Sequence, residues 1–135
     1  VTEKDLWQLI RKNIPGHLCR IENLGMAGVP DIHACHRGVM VWLELKIASG
    51  QTVYFQSSQL AFMQEAKKNR ENVKVLIRKN ELLYLIRSNI LIKEVYNSIN
   101  SDKIKFNLSE FSRAYIWGKP WRWNEITQKI YEKEE

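Results

Sequence analysis

Nine consecutive residues, Val39-Met40-Val41-Trp42-Leu43-Glu44-Leu45-Lys46-Ile47, are apolar at every position except Glu44 and Lys46. A run of that length, apolar on both alternating faces, reads as a central strand covered on both sides. Covering both faces takes a layer on each side of a sheet, so α/β is the expected class. Charges are seldom placed in such a strand without a partner. Because strand side chains alternate, Glu44 and Lys46 share one face, about 7 Å apart along the backbone.

Residues 31–35 form a second expected strand, connected to the first through Arg37-Gly38. If that connection is a two-residue turn, His36 faces Val39, Ala34 faces Val41 and Asp31 faces Glu44. Directly opposed residues have Cβ atoms about 5 Å apart, so this register brings two carboxylates together with an ammonium group one step further on. Like charges so placed are normally destabilising. A hard divalent cation such as Mg²⁺ reverses the sign, since it takes one or two carboxylates and draws its other oxygens from water and phosphate. Two readings follow: a metal site at a sheet end, opposite Gly28-Val29-Pro30, or a structural ion cluster in which Lys46 pairs with Glu44 and Asp31.

The flanking segments supply the other layers. Thr2 followed by Asp5 is a variant of the capping box, and Leu6, Leu9, Ile10 and Ile14 recur at helical spacing up to Pro15-Gly16. A short strand is expected over 18–22, then an irregular loop marked by Gly25, Gly28 and Pro30. Residues 48–57 read as a polar loop, with Ser57 or Ser58 capping a helix that carries Leu60, Phe62, Met63 and Ala66. The runs 73–77 and 82–86 read as a second hairpin or as paired sheet edges. From 88 to 106 the pattern is ambiguous between helix and strand. A stretch of interleaved aromatic and basic residues, Arg113, Tyr115, Trp117, Lys119, Trp121, Arg122 and Trp123, precedes a final polar helix over 124–132. The expected organisation is one α/β domain over 1–135: a mixed-sheet core over about 1–87, and a Trp-rich, basic C-terminal extension over about 88–135.

The chain has 135 residues and a net charge of +6, enough length to bury a core without disulfide or metal staples. Cys19 and Cys35 form no framework spacing, which favours a reducing, cytoplasmic setting. No run approaches a membrane span, and the charged, amphipathic start does not read as a signal peptide. Residues 1–66 carry six basic and six acidic side chains, whereas residues 67–135 carry fifteen and nine. A surplus confined to one half suggests a phosphate-bearing partner.

Pro30-Asp31 followed by Glu44-Leu45-Lys46 resembles the PD-(D/E)XK signature of the restriction-endonuclease-like nucleases. With Gly28-Val29-Pro30-Asp31 entering one strand, Trp42-Leu43-Glu44-Leu45-Lys46 leaving another, an amphipathic helix before and a helix opened by Ser57-Ser58-Gln59 after, the chain is similar to small stand-alone nucleases. Those are of the VRR-NUC type and the related phage or archaeal Holliday-junction resolvases. The resemblance spans about residues 3–87. It implies a restriction-endonuclease-like core of order αβββαβ, a central mixed sheet flanked by helices, and endonucleolytic hydrolysis of DNA. Asp31 and Glu44 would be the carboxylate ligands of Mg²⁺, for which Mn²⁺ could substitute, and the Leu45 carbonyl a further ligand. Lys46 would position or activate water and stabilise charge on the phosphate. Gln59 matches a glutamine that many members carry on the next helix. Glu3 is the nearest match for an acid from the first helix, with Glu22 as the alternative. Metal and lysine together meet the needs of phosphodiester cleavage, a nucleophile at neutral pH and relief of growing negative charge.

Small members without an appended reading domain tend to recognise DNA shape, and resolvases act as homodimers, so the resemblance implies branched DNA as substrate and a dimer. A nicking, repair or restriction nuclease acting on duplex or flap DNA is the rival enzyme. A non-catalytic nucleic-acid-binding module on the same fold is the rival of a different class, and an interaction protein docking through its Trp-rich tail is a third. Lys67, Lys68, Arg70, Arg78, Lys79, Lys119 and Arg122 are the candidate DNA contacts, with a solvated basic surface as the plain alternative. The tail tryptophans read more readily as packed than as base-stacking. His33 shares the face of Asp31 and Cys35 and could border the site and touch substrate. A zinc site is disfavoured because the remaining soft ligands, His17 and Cys19, sit in another element. No phosphate loop and no Gly-x-Ser-x-Gly elbow occurs, so neither a nucleotide cofactor nor a serine hydrolase is expected.

Overall fold

A computed structural model describes residues 1–22, 26–95 and 103–133; Gly25 and 96–102, part of the ambiguous stretch, lie outside the described residues. In chain order the elements are α1 (Glu3–Asn13), β1 (His17–Arg20), β2 (Ile32–His36), β3 (Val39–Ile47), β4 (Thr52–Gln56), α2 (Ser57–Lys68), β5 (Val73–Lys79) and β6 (Leu82–Arg87). These are followed by α3 (Ser88–Val95), β7 (Lys103–Asn107), a 3₁₀ turn (Leu108–Glu110), β8 (Tyr115–Trp117) and α4 (Trp123–Tyr131). Six strands form one sheet in the order β1-β2-β3-β5-β6-β8, and β4 pairs with β7 in a small second sheet. Only β3 and β5 run parallel in the large sheet, which is therefore mixed. A parallel pair needs a crossover, and β4 with α2 supplies it.

The apolar run is β3, and it lies in the middle of the sheet as its two-faced pattern demands. Leu43 and Leu45 point to one core, with Leu6 and Ile10 of α1 and Ile126 and Ile130 of α4. On the other face Val73, Val75 and Ile77 of β5 join Leu60, Met63 and Ala66 of α2, Leu91 of α3 and Val53 and Phe55 of β4. Each such aliphatic side chain taken out of water contributes roughly 1.5–3 kcal/mol. Thr2 caps α1 with the expected reciprocal bonds to Asp5.

The β2–β3 turn decides the site. Arg37 and Gly38 both have positive φ, 51° and 80°, the conformation of a two-residue turn whose twist suits a hairpin. It sets His36 opposite Val39, Ala34 opposite Val41 and Ile32 opposite Leu43. One step further along this register lie Asp31 and Glu44.

Four expectations need correction. The stretch 48–57 is not all loop: Val53 and Phe55 alternate with outward-facing neighbours and are buried, and their pairing partner β7 is some fifty residues away, beyond any local signal. The first strand runs over His17–Arg20 rather than 18–22, because its pairing with β2 ends at Arg20↔Ile32. The cap of α2 is Gln56 rather than a serine, its N–H donating to Gln59 Oε1 at 2.9 Å. The last helix begins and ends one residue earlier than 124–132. Within 88–106 the structure has a helix, α3, and the start of a strand, β7. Trp117 is buried on β8, which pairs with β6, so the residues beyond 87 extend the sheet and cover its face.

Candidate active site

Asp31 enters the sheet behind the buried Pro30 and is held by the chain around it. Its Oδ2 accepts the Leu45 N–H at 2.8 Å, and its carbonyl accepts the Ile21 N–H at 2.7 Å. Glu44 is only 3% exposed, an unusual situation for a carboxylate. Its Oε1 accepts from Gln59 Nε2 at 3.2 Å, and its carboxyl lies close enough to Asp31 to feel that group's charge. Among the described residues, the buried Glu44 Oε2 has no hydrogen-bond partner.

Two steps along β3, Lys46 Nζ donates to Gln59 Oε1 at 2.9 Å and sits 4.9 Å from the centre of the Phe55 ring. Gln59 thus links Lys46 to Glu44 from the first turn of α2, where the same Oε1 also receives the Gln56 N–H. Lys46 opens on a cleft of about 600 Å³ shared with Glu3, Tyr54, Phe55, Gln56 and Ser58.

Burial, then the negative charge of Asp31 and a hydrogen bond with it, push the Glu44 carboxyl up to about 9; Lys46 opposes the shift and Glu3 adds to it. Partial burial and Asp31 raise Glu3 as well, against Lys46 and Arg20. Three acids and one lysine therefore feel one another. On its own, the Glu44 carboxyl holds a proton at neutral pH.

A divalent cation would take that proton's place. The fit is favourable: two adjoining carboxylates, one of them with a buried oxygen lacking a partner, match the small protein share of Mg²⁺ coordination. Among the described residues no group of three or more His, Cys, Asp or Glu side chains is arranged to hold a metal. The fold pairs Cys19 with His33 and His17 with Cys35 across β1 and β2, but does not gather them into a cage.

The structure brings Asp31, Glu44, Lys46, Gln59 and Glu3 together. Glu22 is exposed just beyond β1, next to Ile21, whose N–H reaches Asp31. The basic candidates fall into separate groups. Arg78 lies beside Ile47 in the parallel register, at the site's end of the sheet, and stacks on Trp121 at 5.0 Å. Lys119 contacts the same ring at 4.9 Å and pairs with Glu81 at 2.6 Å. Lys79 is next to Arg78, and Arg122 pairs with Glu125 at 3.5 Å. Lys67, Lys68 and Arg70 are at the other end of α2 from Gln59, about 12–16 Å along the helix. Phe55 and Tyr54 were missed in the sequence, although the alternating Thr52-Val53-Tyr54-Phe55-Gln56 carried a period-two signal.

No protein-family model matches the chain, and no curated protein matches it in sequence. Its fold does match a solved structure. The chain is similar to Hjc, a Holliday junction resolvase from the archaeal hyperthermophile Archaeoglobus fulgidus, with a TM-score of 0.61 over 95% of this chain and 96% of that one, at 14% identity. This likeness shows the fold: a central mixed sheet flanked by helices, as the sequence led one to expect.

Proposed function

We propose that this chain is a Mg²⁺-dependent endonuclease that hydrolyses DNA phosphodiester bonds and selects branched DNA such as four-way junctions. The observation that carries the reading is the convergence of Asp31, Glu44, Lys46 and Gln59 at one sheet end, in a chain with the fold of Hjc. Asp31, Glu44 and the Leu45 carbonyl would hold the metal. When bound, it would supply Lewis-acid stabilisation of the phosphate and a more acidic water.

The chain's own groups do the rest. Lys46 presents an ammonium at the cleft, where it stabilises the charge that grows on the phosphate and orients the attacking water. Gln59 holds that ammonium and Glu44 in fixed relation. Glu3 lines the same cleft and adds a carboxyl close enough to feel Asp31 and Lys46. The Leu45 N–H fixes the Asp31 carboxylate. Arg78, Lys79 and Lys119, grouped at the same sheet end, supply cations for the flanking phosphates.

Four-way junctions, flaps and linear duplex incubated with the chain in Mg²⁺ or Mn²⁺ test this. Paired symmetric cuts in junctions alone support the junction-selective reading and its dimer, and cuts in duplex or flaps support the nicking, repair or restriction alternative. No cleavage of any substrate, or full activity in both Asp31→Ala and Glu44→Ala, overturns the nuclease reading and leaves a binding module.

A further inference from the structure

The site does not end at the carboxylates. On β3, Trp42 shares its face with Glu44, two residues and about 7 Å away. On β2, His33 lies directly opposite Trp42 and on the same face as Asp31. Along this face runs α2: Gln59 bonds Glu44 and Lys46, Phe62 meets Trp42, and Arg70 stands just beyond the last turn. The face leads into a cavity of about 470 Å³ lined by His33, Met40, Trp42, Arg70, Glu71 and Lys133.

The Trp42 indole is fixed. His33 packs edge-on to it at 4.6 Å between centroids and Phe62 at 5.6 Å. Its Nε1 donates to Glu71 Oε1 at 3.4 Å. Among the described residues, the side chains of the two cations beside it, Arg70 and Lys133, make no ion pair or hydrogen bond. Arg70 is held in a left-handed turn, φ 56°, with its own N–H on the Lys67 carbonyl at 3.2 Å. A pinned aromatic ring beside two cations that are unpaired among the described residues, with the Glu71 carboxylate turned to the indole N–H, is complementary to a flat π-system that carries an anion. A nucleotide is the ligand class with both, and a volume of this size suits one.

We propose that this cavity is a nucleotide subsite, in which an unpaired nucleotide of the DNA strand crossing Asp31 and Glu44 stacks on Trp42 and sets its phosphate against Arg70 and Lys133. This rests on the nuclease reading for the identity of the strand, and adds to it a second point of hold. The strand, rather than a free nucleotide, follows from position: Trp42 lies two residues from Glu44 on β3, and His33, opposite it, two residues from Asp31, just before β2. Such a subsite selects DNA with an unpaired or extrudable nucleotide near the cut.

The test is binding by the full chain, isotope-labelled with ¹⁵N, in excess EDTA so that nothing is cut. Tetradeoxyadenylate, dAMP and inorganic phosphate are titrated while the tryptophan indole N–H signals are followed, with Trp42→Phe identifying the relevant one. The expected result is a saturable shift of the Trp42 signal with the tetranucleotide, and a Kd raised about fivefold or more in the surface variant Arg70→Gln. An unmoved Trp42 signal, an equal shift with phosphate alone, or dAMP binding as tightly as the tetranucleotide overturns the proposal. Because binding is read without metal, a chain that shows the shift but cuts no DNA retains the subsite and loses the nuclease. A chain that cuts DNA without the shift does the reverse.

Discussion

Gln59 Nε2 donates to Glu44 Oε1 across 3.2 Å, while Gln59 Oε1 holds Lys46 Nζ at 2.9 Å. One neutral amide thus fixes the distance between a buried acid and the lysine two residues along the strand. Amides suit this position because they donate to one neighbour and accept from the other at once. Gln59→Ala breaks both contacts and should lower cleavage about 10- to 100-fold, the usual cost of losing a group that orients ligands. It also frees the Gln56 N–H, so thermal unfolding should move down by the loss of one helix cap, about 1 kcal/mol. Gln59→Glu keeps both acceptor roles but faces Glu44 with another carboxylate, and should remain folded while cutting poorly. Should both variants cut like wild type, Gln59 is a helix cap alone.

The Glu44 carboxyl sets a pH dependence of stability. Its value in the folded chain, about 9, lies above the ordinary 4.5. The folded state therefore binds a proton that the unfolded state has released between those values, and stability falls as pH rises through this window. In EDTA the slope should approach about 1.4 kcal/mol per pH unit at most, the value for one proton. The urea midpoint should accordingly drop between pH 5 and pH 9, and Glu44→Gln, which needs no proton, should flatten the drop. Added Mg²⁺ should raise the midpoint most at the alkaline end, where the carboxylates are free to take a cation. A wild-type profile as flat as that of Glu44→Gln would remove the basis for this coupling.

The turn chemistry and the apolar run made the centre of the fold legible. Arg37-Gly38 could be read as a two-residue turn, and the register that follows from it aligns Asp31 with Glu44 without any knowledge of the rest of the sheet. β4 was not legible, because a five-residue strand next to Gly50 gains its identity from β7, far along the chain. The role of Trp42 was hidden for a similar reason. In the sequence it is one more apolar residue of a central strand. Only when Phe62 and Arg70 are brought over it by α2 does it become the wall of a cavity. Local periodicity reports which face is buried, and not what the neighbouring element brings to it.

Gly28 leads the chain toward Asp31, and a side chain there would meet backbone. With φ 85°, an added Cβ would lie 2.1 Å from the Ser58 carbonyl oxygen and 2.4 Å from its carbon. Neither atom can move without shifting the first turn of α2, which carries Gln59. Gly28→Ala should therefore destabilise the chain by about 2 kcal/mol or more and depress cleavage even at temperatures where it remains folded. Gly38→Ala is the comparison. Its φ is also positive, at 80°, but nothing lies within 4 Å of the new Cβ. It should cost only about 1 kcal/mol and leave cleavage unchanged. Urea titration and cleavage assays of the pair separate strain from collision, and equal effects in both would mean that the contact with Ser58 is immaterial.

Lys74 is 1% exposed on β5, where an ammonium is costly unless fully bonded. Its Nζ donates to Asn72 Oδ1 at 2.9 Å, to the Ile130 carbonyl at 2.8 Å and to the Glu132 carbonyl. A positive charge thereby sits at the C-terminal end of α4, on carbonyls the helix leaves open and where its dipole favours a cation. Lys74→Met keeps much of the volume and leaves those carbonyls without the donor. The expected loss is about 3 kcal/mol, read as a lower urea midpoint. The damage should start at the tail: limited proteolysis should cut near α4 in the variant under conditions where wild type is intact. Since Lys133 follows this anchored helix end and lines the Trp42 cavity, the variant should also weaken tetranucleotide binding. A variant with an unchanged midpoint and a protected tail would show that α4 docks without Lys74, through the apolar packing of Ile126 and Ile130 and the Tyr131 hydroxyl on the Pro15 carbonyl.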